Sequence, residues 1–399
     1  MNAFKVKKDI SSAKSIVADD MILTLDMPTA AGSTMLEGYQ SLFEAEALAR
    51  LKSEGYSLIG KARVGEFAFD LIGETAAEGA IVKDGKICNA SAEIVMAKEA
   101  DAAICLDVNG YVRRAAAQYG LVSLKPTYGT VSRFGTVPVA CSGETVSILA
   151  NDTDVCRDIL NVISGHDAKD GTSLSDEQCA PLKKNAQRAP VRRVALLTSL
   201  TEGVDSDVRA RLDAAAKAFE VNGVEVVRVD NSIIASARAA WNVLMCAELC
   251  NNVSRYDGVK YGYRAESFSG IDELYTNSRT EAFGELLKTA IIFGSETLST
   301  ENYMKVYDKC LRIRRVIVEE FGKLFSEFDA ILMPATSSLA YTEEQVKANK
   351  HMAFEENLYT SPASISGLPA VVAGGVQLVG RAFSENLLLD AADIITKEG

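Results

Sequence analysis

The chain of 399 residues has two histidines, His166 and His351, and one tryptophan, Trp241. So few imidazoles exclude a histidine-rich metal site and leave a Ser-His or Cys-His dyad at most two candidate bases. Its eight cysteines form no C-x-x-C pair and are scattered singly, mostly in apolar stretches such as Ala102-Ala103-Ile104-Cys105-Leu106. That pattern disfavours a disulfide framework or a zinc site and predicts free thiols in a reducing compartment. Cys246 and Cys250, one helical turn apart with no further ligand nearby, are expected in a core. Positive charge is short: 42 Lys and Arg against 54 Asp and Glu leave a net charge of −12. Phosphate contacts need a basic footprint, so no direct nucleic-acid binding is expected. No apolar run approaches the ~20 residues that span a bilayer, so no membrane association is expected. No Walker or G-x-G-x-x-G loop is present either. The expectation is a cytoplasmic protein with a full hydrophobic core, no metal and no cofactor.

What is present is apolar periodicity. Leu42, Phe43, Ala45, Ala47, Leu48 and Leu51 predict a helix over about 42–54, stopped by Gly55 before a short strand at Ser57-Leu58-Ile59-Gly60. Val191 to Leu197 reads as a strand. Asp205 or Ser206 can cap the helix after it, and Asn222-Gly223 ends that helix before Val224-Glu225-Val226-Val227. Strand, helix, strand at this length predicts a parallel pair. From Thr300 to Phe328 helical spacing persists for about eight turns. Ala330-Ile331-Leu332-Met333 reads as a buried strand ended by Pro334, and Ser384 to Lys397 as a final helix. Residues 166–190 read as a surface connection and 1–13 as a poorly defined segment. One α/β domain is expected over 1–399, its twisted, mostly parallel mixed sheet flanked by helices, with a helical substructure around 240–328.

The most informative stretch runs from Leu106 to Gly135 and contains Leu-Asp-Val-Asn-Gly-Tyr-Val-Arg-Arg and Leu-Lys-Pro-Thr-Tyr-Gly-Thr-Val-Ser-Arg-Phe-Gly. With Ile163-Ser164-Gly165-His166-Asp167, Ser254 to Arg264, the helix carrying Arg314, and Ser366-Gly367-Leu368-Pro369-Ala370, it resembles the amidase signature family. The likeness is strongest to the A-subunit branch of the tRNA-dependent amidotransferases. This resemblance implies the amidase signature fold. It also implies amide hydrolysis by a serine nucleophile, a second serine on a cis peptide, and a lysine base, with backbone N–H groups stabilising the oxyanion.

Set against the family motif S-D-T-G-G-S-I-R-Q-P, the chain keeps Asp107, Gly110 and Arg113 but carries Tyr111 at the nucleophile. A phenol with a pKa near 10 is a poor acyl acceptor at neutral pH. Val108 and Asn109 replace the small residues beside it, the second serine falls on Ile87, and the lysine on Asp19. The expectation is therefore a catalytically silent paralogue, a pseudoenzyme acting as a small-ligand (amide or amino-acid) binding protein or as a scaffold with partner subunits. The alternative is an active amidase or amidotransferase A-type subunit with relocated chemistry, in which Cys88 or Ser91 attacks and Lys83 or Lys86 is the base. The resemblance also gives Tyr263 and Arg314 positions that hold an amino-acid substrate, and puts the acidic partner for its amino group at Asn357 or Glu356. Arg314 equally suits a solvated helix face. His166 reads as a loop cap, His351 as surface and Trp241 as core.

Overall fold

In the computed structural model, which describes residues 2–10, 12–184 and 190–397, the short apolar runs become sheet strands. In chain order these are β1 (Phe4–Lys7), β2 (Ser15–Asp19), β3 (Ser57–Ala62), β4 (Ile81–Lys83), β5 (Lys86–Cys88), β6 (Ala102–Asp107) and β7 (Val122–Lys125). They continue with β8 (Thr145–Ala150), β9 (Arg193–Leu197), β10 (Glu225–Val229), β11 (Ala330–Pro334), β12 (Ala370–Ala373) and β13 (Val376–Gly380). Eleven of them form one sheet of order β1-β3-β2-β6-β8-β7-β12-β13-β11-β9-β10, while β4 and β5 make a separate hairpin. Every residue of β2, β6, β8, β11, β12 and β13 is buried, as befits strands covered on both faces.

The sheet is mixed, but not mostly parallel. Four pairings are parallel (β3 with β2, β2 with β6, β11 with β9, β9 with β10), and the other six are antiparallel. The crossover read at 191–229 holds as the parallel pair β9 and β10. The antiparallel centre arises where β6, β8, β7, β12 and β13 pair in turn.

The helices that matter below are α1 (Glu46–Ser53), α2 (Ala90–Met96), α3 (Tyr111–Tyr119), α4 (Thr153–Ile163), α5 (Asp176–Lys184) and α6 (Ser206–Val221). α1 starts at Glu46, not 42. Leu42 is 90% exposed, so the apolar rhythm runs past the helix into a loop. The expected surface connection holds α5, and residues 185–189 of it lie outside the described ones. The amino-terminal segment is a strand: β1 pairs with β3 and buries Phe4.

The helical substructure packs Ala237–Val253 against Glu285–Thr297 and Asp308–Glu327. Gly294 permits the closest approach, since a Cβ there would lie 2.0 Å from the Cys246 carbonyl oxygen. The long helix read at 300–328 is an α-helix over Asp308–Glu327 preceded by a π-helical turn over Tyr303–Tyr307. Contrary to the sequence reading, Ser232–Val253 is long and apolar enough to cross a membrane by length and composition. Here it is a core helix, with Trp241, Leu244, Met245 and Leu249 buried.

Candidate functional site

The stretch that carries the resemblance forms a strand-to-helix turn. β6 ends at Asp107, Gly110 takes φ +86°, and α3 begins at Tyr111. Glycine is required at 110 for two reasons. The left-handed backbone disfavours a side chain, and a Cβ would lie 2.3 Å from that of Thr360. The turn is clamped by a buried, bidentate ion pair, Arg113 Nε to Asp107 Oδ2 at 2.8 Å and Nη2 to Oδ1 at 3.1 Å. The same guanidinium donates to the Thr360 carbonyl, Gln377 Oε1 and Ser364 Oγ. These are the residues retained from the family motif, and they hold the scaffold of the site.

The replaced residues meet at its centre. Tyr111 is buried and its hydroxyl donates to Asp19 Oδ2. Asp19, the last residue of β2, is fully buried and also accepts from the backbone N–H groups of Leu106 (2.8 Å) and Met21 (3.0 Å). Parallel pairing of β2 with β6 brings the two segments side by side. The positions read from sequence as base and nucleophile are thus brought together, occupied by an acid and a phenol. Cys105 Sγ and Ser91 Oγ, 3.7 Å apart, lie in the same buried region. Burial pushes the Asp19 carboxyl up to about 6, opposed by its hydrogen bonds from Tyr111, Leu106 and Met21 and by nearby Lys61. Burial and the Asp19 charge hold the Tyr111 phenol well above its usual value.

The raised carboxyl predicts a pH dependence of stability. Between pH 3.8 and about 6 the folded chain keeps a proton on Asp19 that the unfolded chain releases. This contribution is fully present below the unfolded value and lost as pH rises through the folded one, an effect of roughly 3 kcal/mol for a shift of about two units. Asp19→Asn, which cannot titrate, is expected to flatten that part of the profile in denaturant unfolding at pH 4, 5, 6 and 7. Buried Glu66, raised to about 7 by burial, leaves a residual slope in both proteins. Profiles of equal steepness would show that Asp19 does not titrate as described.

Ile87 lies in the β4–β5 hairpin, in a small apolar cluster with Leu71, Ile72, Tyr341 and Ala353, and its N–H donates to the Tyr341 carbonyl. Lys83, Cys88, Glu93 and Tyr119 gather on the other side of that hairpin: Glu93 binds Lys83 and accepts from Tyr119. Burial pushes the Cys88 thiol up, and Glu93 adds to the effect while Tyr119 and Lys83 oppose it. Lys86 is exposed, and Ser91 is buried in the first turn of α2.

The three candidate ligand contacts each have their own partner. The Tyr263 hydroxyl donates to Glu281, and Arg314 Nη2 donates to the Ser142 carbonyl at 3.2 Å. Asn357 is buried and donates to Asn109 Oδ1 (3.0 Å) and Asn242 Oδ1 (2.6 Å), while its own Oδ1 has no hydrogen-bond partner. Glu356 is committed to the Ser337 N–H and the Tyr341 hydroxyl. His166 caps a loop through Leu174, His351 is exposed and Trp241 is core.

Sequence reasoning missed the buried ion pair of Lys61 Nζ with Asp20 Oδ1, 2.9 Å apart and beside Asp19. Lys61 also donates to Thr29 Oγ1 and the Pro28 carbonyl. Its signal was a lone lysine inside the run Leu58-Ile59-Gly60-Lys61-Ala62. Among the described residues no cluster of His, Cys, Asp and Glu could hold a metal ion.

A mixed sheet that presents a glycine-capped turn to a helix, with the end of a neighbouring parallel strand reaching that helix's first residue, defines an α/β protein with a buried strand-to-helix centre. A family model described as amidase matches residues 16–389, and the chain belongs to the amidase signature family. It is similar to the A subunit of glutamyl-tRNA(Gln) amidotransferase from Streptococcus pneumoniae (strain JJA), 33% identical over 96% of this chain and 82% of that protein. The Lachnoclostridium phytofermentans protein of the same name is 35% identical over 94% of this chain and 81% of its own length. The crystal structure of the Thermotoga maritima protein of that name superposes with a TM-score of 0.80 at 26% identity, covering 100% of this chain and 87% of that one.

Proposed function

We propose that the chain works in the cytoplasm as a catalytically silent A-type subunit, contributing a binding surface or a ligand pocket to an amidotransferase-like assembly of protein partners. One observation carries the silence. The Tyr111 phenol and the Asp19 carboxylate are hydrogen-bonded to each other at the positions that the family assigns to a serine nucleophile and a lysine base. A carboxylate cannot supply the lysine's positive charge, and a buried phenol held above its usual pKa is no acyl acceptor at neutral pH. The likeness to amidotransferase A subunits over nearly the whole chain supports the A-type role. Ammonia release from glutamine, asparagine and simple amides is expected at the buffer rate. Turnover abolished by Tyr111→Phe or Asp19→Asn would overturn this reading.

A second reading, an active A-type enzyme with relocated chemistry, is favoured by the same overall likeness and by the placement of Lys83, Lys86 and Cys88 on one face of the β4–β5 hairpin. Turnover that survives Tyr111→Phe but is lost in Cys88→Ala or Ser91→Ala would establish it.

A further inference from the structure

At the carboxy end of α3, whose amino end holds Tyr111, lies a cleft of about 520 Å³. Its walls are Gly120 and Val122, the α6 face from Arg211 to Val221, the β12–β13 turn at Gly374, and Ile395 of the carboxy-terminal helix. The volume is that of a small-molecule site.

The lining is one-sided in charge. Arg211 and Lys217 face the cleft, and among the described residues no carboxylate lines it. Neither cation has an ion-pair or hydrogen-bond partner among the described residues. Acids nearby are taken: Asp213 pairs with Arg228, Asp390 with Arg157, and Asp393 with Lys397. Asp207 and Glu220, at the two ends of α6, do not line the cleft. In a protein of net charge −12, two unpaired cations on one concave wall make a local well for an anion.

The rest of the lining is mostly apolar; its two neutral polar residues, Asn151 and Thr396, donate to the Val95 and Ala392 carbonyls. Ala214, Ala215, Ala218, Val122 and Ile395 give the cleft apolar surface, and Val221, 66% exposed, also lines it. Gly375, at φ +84°, lets the stem of Arg211 cross the turn, since a Cβ there would sit 3.3 Å from Arg211 Cγ. An arginine fork and a lysine point charge together match a carboxylate or phosphate head.

We propose that this cleft binds a small organic anion, a carboxylate or phosphate head on a short apolar body, at a site separate from the Tyr111–Asp19 centre. The proposal does not depend on whether that centre is silent.

Calorimetric titration of the whole chain with hexanoate, hexyl phosphate and the neutral hexanamide tests it. Saturable binding of one equivalent of at least one anion is expected, with none of hexanamide, and the better anion identifies the head group. Affinity is expected to fall tenfold or more in Arg211→Ala and in Lys217→Ala, and to stay unchanged in Lys260→Ala, which removes an exposed charge in the segment that packs on Met35. Ala214→Trp keeps both cations but fills the cleft and is expected to abolish binding, with its thermal transition showing that it is folded. Failure of both anions to saturate would overturn the proposal, as would binding within twofold of the parent in a folded Arg211→Ala/Lys217→Ala variant.

Discussion

Arg113→Ala is expected to lose roughly 3–5 kcal/mol of unfolding free energy, the usual cost of stranding one member of a buried ion pair. Asp107 would be left as a buried charge without its ion-pair partner, with only the weaker attraction of Lys125 and Arg114, and the Thr360 carbonyl, Gln377 Oε1 and Ser364 Oγ would each lose a donor. Since a domain has about 5–15 kcal/mol in total, this one change removes a large share. Denaturant unfolding measures it directly. The charge-free double variant Asp107→Leu/Arg113→Leu is expected to be more stable than Arg113→Ala, because the penalty comes from the orphaned carboxylate more than from the missing pair. A single-variant loss below about 1 kcal/mol, the worth of an ordinary exposed pair, would show that the clamp does not hold the turn.

Tyr111→Ser, which restores the family's nucleophile, is expected to cost roughly 3–5 kcal/mol and to yield no hydrolysis. The phenol ring is almost completely buried, so its removal leaves a cavity as a large-to-small aromatic change does. Asp19 also loses the hydroxyl that donates to it, which raises the cost of keeping it charged. Tyr111→Phe separates the two effects: it keeps the ring and is expected to cost roughly 1–2 kcal/mol, the contribution of the hydrogen bond alone. Thermal and chemical unfolding rank the three proteins. A Tyr111→Ser chain as stable as its parent, or one that releases ammonia from glutamine, would contradict the description of this centre as packed core.

Locality separates what was legible in the sequence from what was not. Elements whose signals lie within one window could be read: β9, α6 and β10 through caps and periodicity, the carboxy-terminal helix, and β11 with its terminal proline. The meeting of Asp19 with Tyr111 was legible through motif matching, since two separately anchored segments fell on the base and nucleophile positions. The β4–β5 hairpin was overlooked although its turn is written as Asp84-Gly85, a pair suited to the positive φ values of +51° and +73° that it adopts. β1 was overlooked because four residues alternating Phe4, Lys5, Val6, Lys7 look like a charged tail until β3 supplies the pairing edge. The mixed sheet and the Lys61–Asp20 pair depend on contacts between distant segments, which periodicity in one sequence does not encode.

The Asp19–Tyr111 contact also bears on how the chain tolerates substitution. Serine at 111 leaves a hole and takes one of three donors from the Asp19 carboxylate, and lysine at 19 sets a second buried amine beside Lys61 while taking the acceptor from Tyr111. Serine at 87 places a hydroxyl among Leu71, Ile72 and Tyr341. Asp19 and Tyr111 hold each other in place, and Ile87 is held by its own apolar cluster. A single substitution at any one of these positions toward serine or lysine therefore meets a less stable protein first, and the packing of the core resists each change separately.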